Sequence, residues 1–190
     1  MLEKEVKILE INVLEIQNQL ESFWAIITFE GYIHDIYYDF KDEDTSVLKM
    51  EANQRLFRVR KKWEVHMYTI KRKREKKFEW WEKWLKIADE WEREITNVDS
   101  FKKVLEKYGM KEIREKKKYR VSYALEWCEF DIDNYLLWDD KNIPPLLEIE
   151  AKTFQDINYW IDKLGLENHK RKTWWSRKLF EHYWVEYNWL

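Results

Sequence analysis

Apolar positions recur along this chain with two different periods. Four stretches, VLEIQNQLESF, SFKKVLEKY, FQDINYWIDKL and SRKLFEHY, carry them at three and four spacing and predict amphipathic helices near 13–23, 98–108, 153–164 and 174–183. Seven others, EKEVKI, LFRVRKK, HMYTIKRK, EWEREI, KKYRVSYAL, CEFDID and LLEIEAK, alternate strictly and predict strands. Strands outnumber helices, which predicts an α+β fold with a largely antiparallel sheet. Acidic alternation precedes three of the helices, so a strand-then-helix unit is weakly repeated. KRKREKK (71–77) and EWWEKW (79–84) have no consistent period and are read as the tip and flank of a long hairpin.

The helix ends change this picture in one respect. LESFWAI, LEKYGMK, IDKLGLE and FEHYWVE share a local pattern, and Gly109 and Gly165 stand where a helix commonly ends on a residue in left-handed conformation. Trp24 and Trp184 fill the matching places. A bulky residue there is unusual, and the chain holds 13 Trp against 3 Gly. Two readings compete: these helices end otherwise, with Trp packed on the core, or the gene uses a code in which UGA means glycine. Under the second, Trp63 in RKKWEVHMYT is a hairpin-turn glycine, and the WW pairs at 80 and 174 are loops.

At 190 residues, without a Pro/Gly/Ser-rich linker, the chain reads as a single domain spanning 1–190. Its formal net charge is −2 although 38% of residues are charged, which argues for locally arranged charge and against a dedicated nucleic-acid or membrane surface. A lone cysteine, Cys128, no leader and no apolar run of spanning length predict a cytoplasmic, disulfide-free protein with no membrane partner.

The alternating strands carry the candidate chemistry. Carboxylates stand at Glu3/Glu5, Glu90/Glu92/Glu94, Glu129/Asp131/Asp133 and Glu148/Glu150; cations stand at Arg58/Arg60, Lys71/Lys73 and Lys118/Arg120. Their signs are sorted strand by strand. The opposite faces are substantially apolar, as at Phe57 and Val59, Ile70, Phe130 and Ile132, Leu147 and Ile149. Helices therefore cover the outside and leave the charged face inward, an arrangement that suits a closed barrel holding water and a ligand. Grouped carboxylates suit Mg²⁺ or Mn²⁺, and grouped Arg and Lys suit phosphate oxygens.

These residues stand in an order that resembles the CYTH superfamily, or triphosphate tunnel metalloenzymes. The resemblance is carried by E-x-E-x-K at Glu3, Glu5 and Lys7, then HDIYYD (34–39), FRVR, YTIK, KKYR, DIDNY and PPLLEIE, over nearly the whole chain. It implies an eight-stranded antiparallel closed barrel, a triphosphate tunnel with helices packed outside. It further implies Glu3, Glu5, Glu148 and Glu150 as the metal shell, with Asp133 and Glu92 at acidic positions of which Asp133 joins the metal set. Lys7, Arg58, Arg60, Lys71, Lys118 and Arg120 are implied as phosphate contacts, Lys7 also as a catalytic residue aligning water. Lys73 joins the substrate contacts by strand parity alone.

The expected function is divalent-metal-dependent hydrolysis of a small triphosphate: inorganic tripolyphosphate, thiamine triphosphate or a nucleoside triphosphate. Alternatives are a class IV adenylyl cyclase converting ATP to cyclic AMP and pyrophosphate, and a non-catalytic polyphosphate or RNA binding module built on KRKREKK and REKKKYR. A homodimer is compatible with each. The dispersed His34, His66, His169 and His182 offer no metal-ligand spacing, and no G-x-x-x-x-G-K-[ST] or G-x-S-x-G is present.

Overall fold

The computed structural model describes residues 2–40, 55–73, 86–137 and 142–185. In chain order its elements are β1 (Leu2–Ile8), α1 (Val13–Ser22), β2 (Ile26–Phe40), β3 (Arg55–Lys62), β4 (Val65–Lys73), β5 (Lys86–Ile95), α2 (Val98–Lys107), β6 (Met110–Leu125), β7 (Cys128–Leu136), β8 (Leu146–Ala151), α3 (Phe154–Lys163), β9 (Arg171–Lys172) and α4 (Ser176–His182). Side chains cap the first three helices: Asn12, Asn97 and Thr153 accept from the backbone N–H of Glu15, Ser100 and Asp156, satisfying donors that the helix itself cannot. The 74–84 hairpin tip and flank expected from sequence lie outside the described residues.

All strand pairs are antiparallel, in the order β5-β4-β3-β2-β6-β7-β8-β1-β9. β1 meets β8 through Lys4–Ile8 and also meets β5, with Leu2 opposite Asp89 and Glu5 opposite Lys86. Among the described residues the sheet has nine strands where eight were expected; the ninth is the two-residue β9 beside Lys7 and Ile8. β2 was absent from the alternation pattern. It is buried at Ile33, Asp35, Tyr37, Tyr38 and Asp39, with irregular register against β6 near Ile27 and Tyr37, so neither face reads as purely polar.

The apolar face of the sheet is where three helices pack. Val6, Ile8, Val121, Phe130, Ile132, Leu147 and Ile149 form one core with Ile16 and Leu20 of α1 and Ile157, Trp160 and Ile161 of α3. Phe57, Val59 and Tyr38 form a second with Leu105 of α2. α4 departs from the expectation that all helices pack outside. Its Leu179 and Phe180 bury against Leu9, Tyr135 and Leu146, which share strand parity with Lys7, Asp133 and Glu148, so α4 covers one end of the charged face.

Three tryptophans have left-handed backbone: Trp24 at φ 65, Trp63 at φ 54 and Trp184 at φ 57, beside Gly109 at φ 81 and Gly165 at φ 65. The expectation that Trp24 and Trp184 occupy glycine-type helix ends therefore holds in the backbone.

Phe130 is fully buried and meets Trp160 edge-on at 5.5 Å between ring centroids. Phe130→Ala is expected to destabilise the fold by roughly 3–5 kcal/mol, read from urea unfolding midpoints, because it opens a cavity under α3.

Candidate active site

Strand parity places the charged residues on one face, and they line a cavity of about 370 Å³. Lys7, Arg58, Arg60, Lys71, Lys118 and Arg120 all line it, as do Glu5, Glu148 and Glu150. Its apolar or aromatic lining is Tyr37, Leu56 and Trp175 among the described residues, and Ser176 joins Trp175 from the start of α4.

The acidic and basic side chains are paired, as burial of charge demands. The Lys7 ammonium stands 2.7 Å from Glu5 Oε1 and 2.6 Å from Glu148 Oε1. Burial works against this ammonium, yet the carboxylates of Glu148 and Glu5 more than offset it, and its pKa is raised. Lys71 pairs with Glu90 and lies 3.9 Å from Glu5 Oε2. Arg58 reaches Glu90 Oε1 at 3.2 Å and donates to Thr69 Oγ1 at 3.1 Å; Thr69 in turn donates to Glu92 at 2.7 Å.

A second group surrounds Asp133. Lys118 Nζ donates to Asp133 Oδ2 at 2.6 Å, Arg120 donates to both oxygens of Asp133 at 2.5 and 2.6 Å, and Arg120 also reaches Glu148 Oε2 at 2.7 Å and Asp131. Burial opposes the Asp133 carboxylate, but Arg120 and Lys118 hold its pKa below the usual range. Glu148, drawn by Lys7, Arg120 and Lys118 against the same burial, is held well below its ordinary value. For Lys118 the balance tips the other way: burial, then the neighbouring Arg120, outweigh Asp133 and push the ammonium down to about 7.

Most of the residues expected from sequence thus meet at one site. Glu3 and Lys73 fall on β1 and β4 as expected, with side chains outside the described set. Asp133 is fully buried and engaged by two cations, and it is not among the residues lining the cavity. No group of three or more His, Cys, Asp or Glu side chains among the described residues is already gathered for a metal ion. The register nevertheless sets Glu5 opposite Glu150 and Glu150 opposite Glu129, across three adjacent strands. Oxygen donors of that kind fit a hard divalent cation. Sequence reasoning missed Lys116 and Asp35. Both follow the parity of residues already singled out, Lys116 two before Lys118 on β6 and Asp35 within HDIYYD.

No protein-family model matches the chain, and no curated protein matches it significantly. Solved structures do share the fold. A protein of Pyrococcus horikoshii OT3 superposes with a TM-score of 0.68 at 22% identity, covering 93% of this chain and 98% of that one. A proposed adenylate cyclase from Vibrio parahaemolyticus gives 0.68 at 14% identity, over 95% and 98% of the two chains. A proposed adenylyl cyclase from Hippeastrum, a protein with a dominant triphosphatase activity, gives 0.64 at 13% identity over 95% of each. These likenesses establish the fold. No helix among the described residues is long and apolar enough to cross a membrane.

The depressed Lys118 pKa sets a pH dependence. An unfolded lysine keeps its proton to about 10.4, so between about pH 7 and 10 the unfolded chain binds a proton that the folded chain has released. Stability attributable to this group rises with pH through that window. Chemical denaturation at about pH 7 and 9 is expected to show Lys118→Met flattening the rise by on the order of 1–3 kcal/mol.

Proposed function

We propose that the chain binds a small triphosphate with a divalent cation in its charged interior and hydrolyses it. The observation that carries this reading is the convergence on one cavity of the cations Arg58, Arg60, Lys71, Lys118 and Arg120 with the carboxylates Glu5, Glu148 and Glu150. We further read the sheet as a closed tunnel; the pairing of β1 with β5 as well as β8 supports this. The triphosphatase activity of the Hippeastrum protein and the adenylate cyclase proposal for the Vibrio protein support a triphosphate as the substrate class.

In this reading Glu5, Glu148 and Glu150 are the residues that would hold Mg²⁺ or Mn²⁺, which would supply charge neutralisation to a bound triphosphate. Arg58, Arg60 and Arg120 present planar forks to the remaining oxygens, Lys71 presents a point charge, and Lys118 does so in its protonated form. The ion pairs seen between these cations and Glu90, Glu148 and Asp133 keep the side chains extended into the cavity, so a phosphate chain exchanges carboxylate partners for its own oxygens. Lys7, with its raised pKa, remains an ammonium at neutral pH. It is therefore assigned to orienting the attacking water and stabilising charge rather than to abstracting a proton. Asp133 is assigned to holding Lys118 and Arg120, because both of its oxygens are already taken by them. The predominantly charged lining favours attack at the terminal phosphorus of a small triphosphate over recognition of a base, which places hydrolysis before cyclisation.

Incubation with tripolyphosphate, thiamine triphosphate or ATP and Mg²⁺ or Mn²⁺ is expected to release phosphate from at least one. Cyclic AMP with pyrophosphate selects the cyclase instead, and no product from any of them defeats the enzymatic reading. Glu5→Gln is expected to lower kcat by roughly 100-fold or more while leaving the circular dichroism spectrum unchanged.

A further inference from the structure

Asp35 has no part in the chemistry above, although it lies within the HDIYYD stretch. It is completely buried on β2, where the residues directly opposite it are Arg60 on β3 and Lys116 on β6. Arg60 donates to both of its oxygens, at 2.7 and 3.0 Å, while Lys116 Nζ lies 3.4 Å and Arg58 Nη1 3.8 Å from Oδ2. All three cations line the cavity, and Asp35 is not among the lining residues. One carboxylate that does not itself line the cavity therefore meets three cations that do, Arg58 being shared with Glu90. We propose that Asp35 is a positioning residue of the anion site: a built-in counter-ion that holds Arg58, Arg60 and Lys116 extended into the cavity before a polyphosphate arrives. This rests on the anion-binding reading of the cavity. The physical reason is preorganisation, since cations already aimed at the incoming charge need no rearrangement when it binds.

The test compares thermal midpoints of the metal-free wild type and Asp35→Asn, each with and without millimolar tripolyphosphate. The variant keeps the side-chain shape and leaves the buried Arg58 and Lys116 and the part-buried Arg60 under-compensated. Its midpoint is expected to fall, and tripolyphosphate is expected to raise it by more degrees than it raises the wild type, because the added anion replaces the missing charge. Equal shifts, zero included, overturn the counter-ion role. A shift in the variant alone supports that role while overturning the anion-site reading of the wild type. If Asp35→Asn does not fold, Asp35→Asn/Arg60→Gln removes one charge of each sign. It is then expected to regain a cooperative transition without added anion, and failure to do so overturns the proposal.

A second inference rests on backbone geometry and side-chain exposure. Of the five non-glycine residues with positive φ among those described, three are tryptophan. At α1 the N–H of Trp24 reaches Glu21 O at 3.0 Å and that of Ala25 reaches Leu20 O at 3.0 Å; at α3, Gly165 reaches Asp162 O at 3.1 Å and Leu166 reaches Ile161 O at 2.9 Å. Trp184 and Val185 repeat the pair at α4, at 3.2 and 3.0 Å. These are one and the same helix-ending motif, whose left-handed position is ordinarily glycine. Trp63 is the first central residue of the two-residue turn between Lys62 and Val65, and Glu64 is not among the positive-φ residues; glycine is favoured at that first position in a II′ turn. Trp24 and Trp184 are 88% and 87% exposed, so neither side chain buries the surface that would offset left-handed strain. Trp63 does engage its surroundings, donating from Nε1 to Glu30 O at 3.0 Å. We infer that in its native host the protein carries glycine at 24, 63 and 184, inserted at UGA codons. Peptide mass spectrometry of host-made protein, read with the gene's codons, is expected to find glycine at UGA in all three places. Tryptophan in those peptides, or UGG codons, overturns the inference.

Discussion

The structure depends on burying many charges together on one face of a sheet. A lone buried lysine or glutamate carries a desolvation cost that a fold of this size does not tolerate well. Here most strands contribute charge of largely one sign, and pairing is achieved mainly between strands, as for Arg120 on β6 with Asp133 on β7 and Lys71 on β4 with Glu90 on β5, and within β1 between Lys7 and Glu5. Lys7 between Glu5 and Glu148, and Arg120 among Asp133, Asp131 and Glu148, show the pattern. Such a network is balanced enough to fold and polar enough to accept a charged ligand in exchange for its internal partners.

Everything outside that face serves it. Strand alternation sends Val6, Phe130, Ile132, Leu147 and Ile149 outward into one apolar core, where α1 and α3 seal the sheet. α2 does the same over Phe57 and Val59. α4 is the exception, meeting Leu9, Tyr135 and Leu146 at one end of the charged face and bringing Ser176 to within 3.1 Å of Lys116 Nζ. The charged side chains are thus held by strands, while the helices supply hydrophobic stability.

Much of this was legible in the sequence, for a physical reason. Alternation with period two fixes which side chains share a face, so Arg58 with Arg60, and Glu148 with Glu150, could be assigned together without knowing the fold. The four helices were visible to within one or two residues because their apolar positions repeat at helical spacing. β2 was not visible as a strand, because it is buried irregularly and carries Asp35 and Asp39 among aromatics. Asp35 was visible only as part of HDIYYD and not as a site residue, because its partners Arg60 and Lys116 meet it only through the register of two separate strands. The seat of α4 was hidden too, since an amphipathic pattern states that a face is buried without stating against what. The resemblance to the CYTH superfamily supplied an expected count of eight strands, where the described residues form nine, and the expected roles of individual residues, which periodicity alone does not.

The central claim is that the shared interior of the sheet receives a polyphosphate between its cationic and anionic walls. The most direct measurement is a crystal structure of the protein grown with tripolyphosphate and Mn²⁺. The account predicts phosphate density within hydrogen-bonding distance of Arg58, Arg60 and Arg120, with an anomalous Mn²⁺ peak beside Glu5, Glu148 or Glu150. Ordered tripolyphosphate on the outer surface, with those arginines still bound to their carboxylate partners, would contradict it.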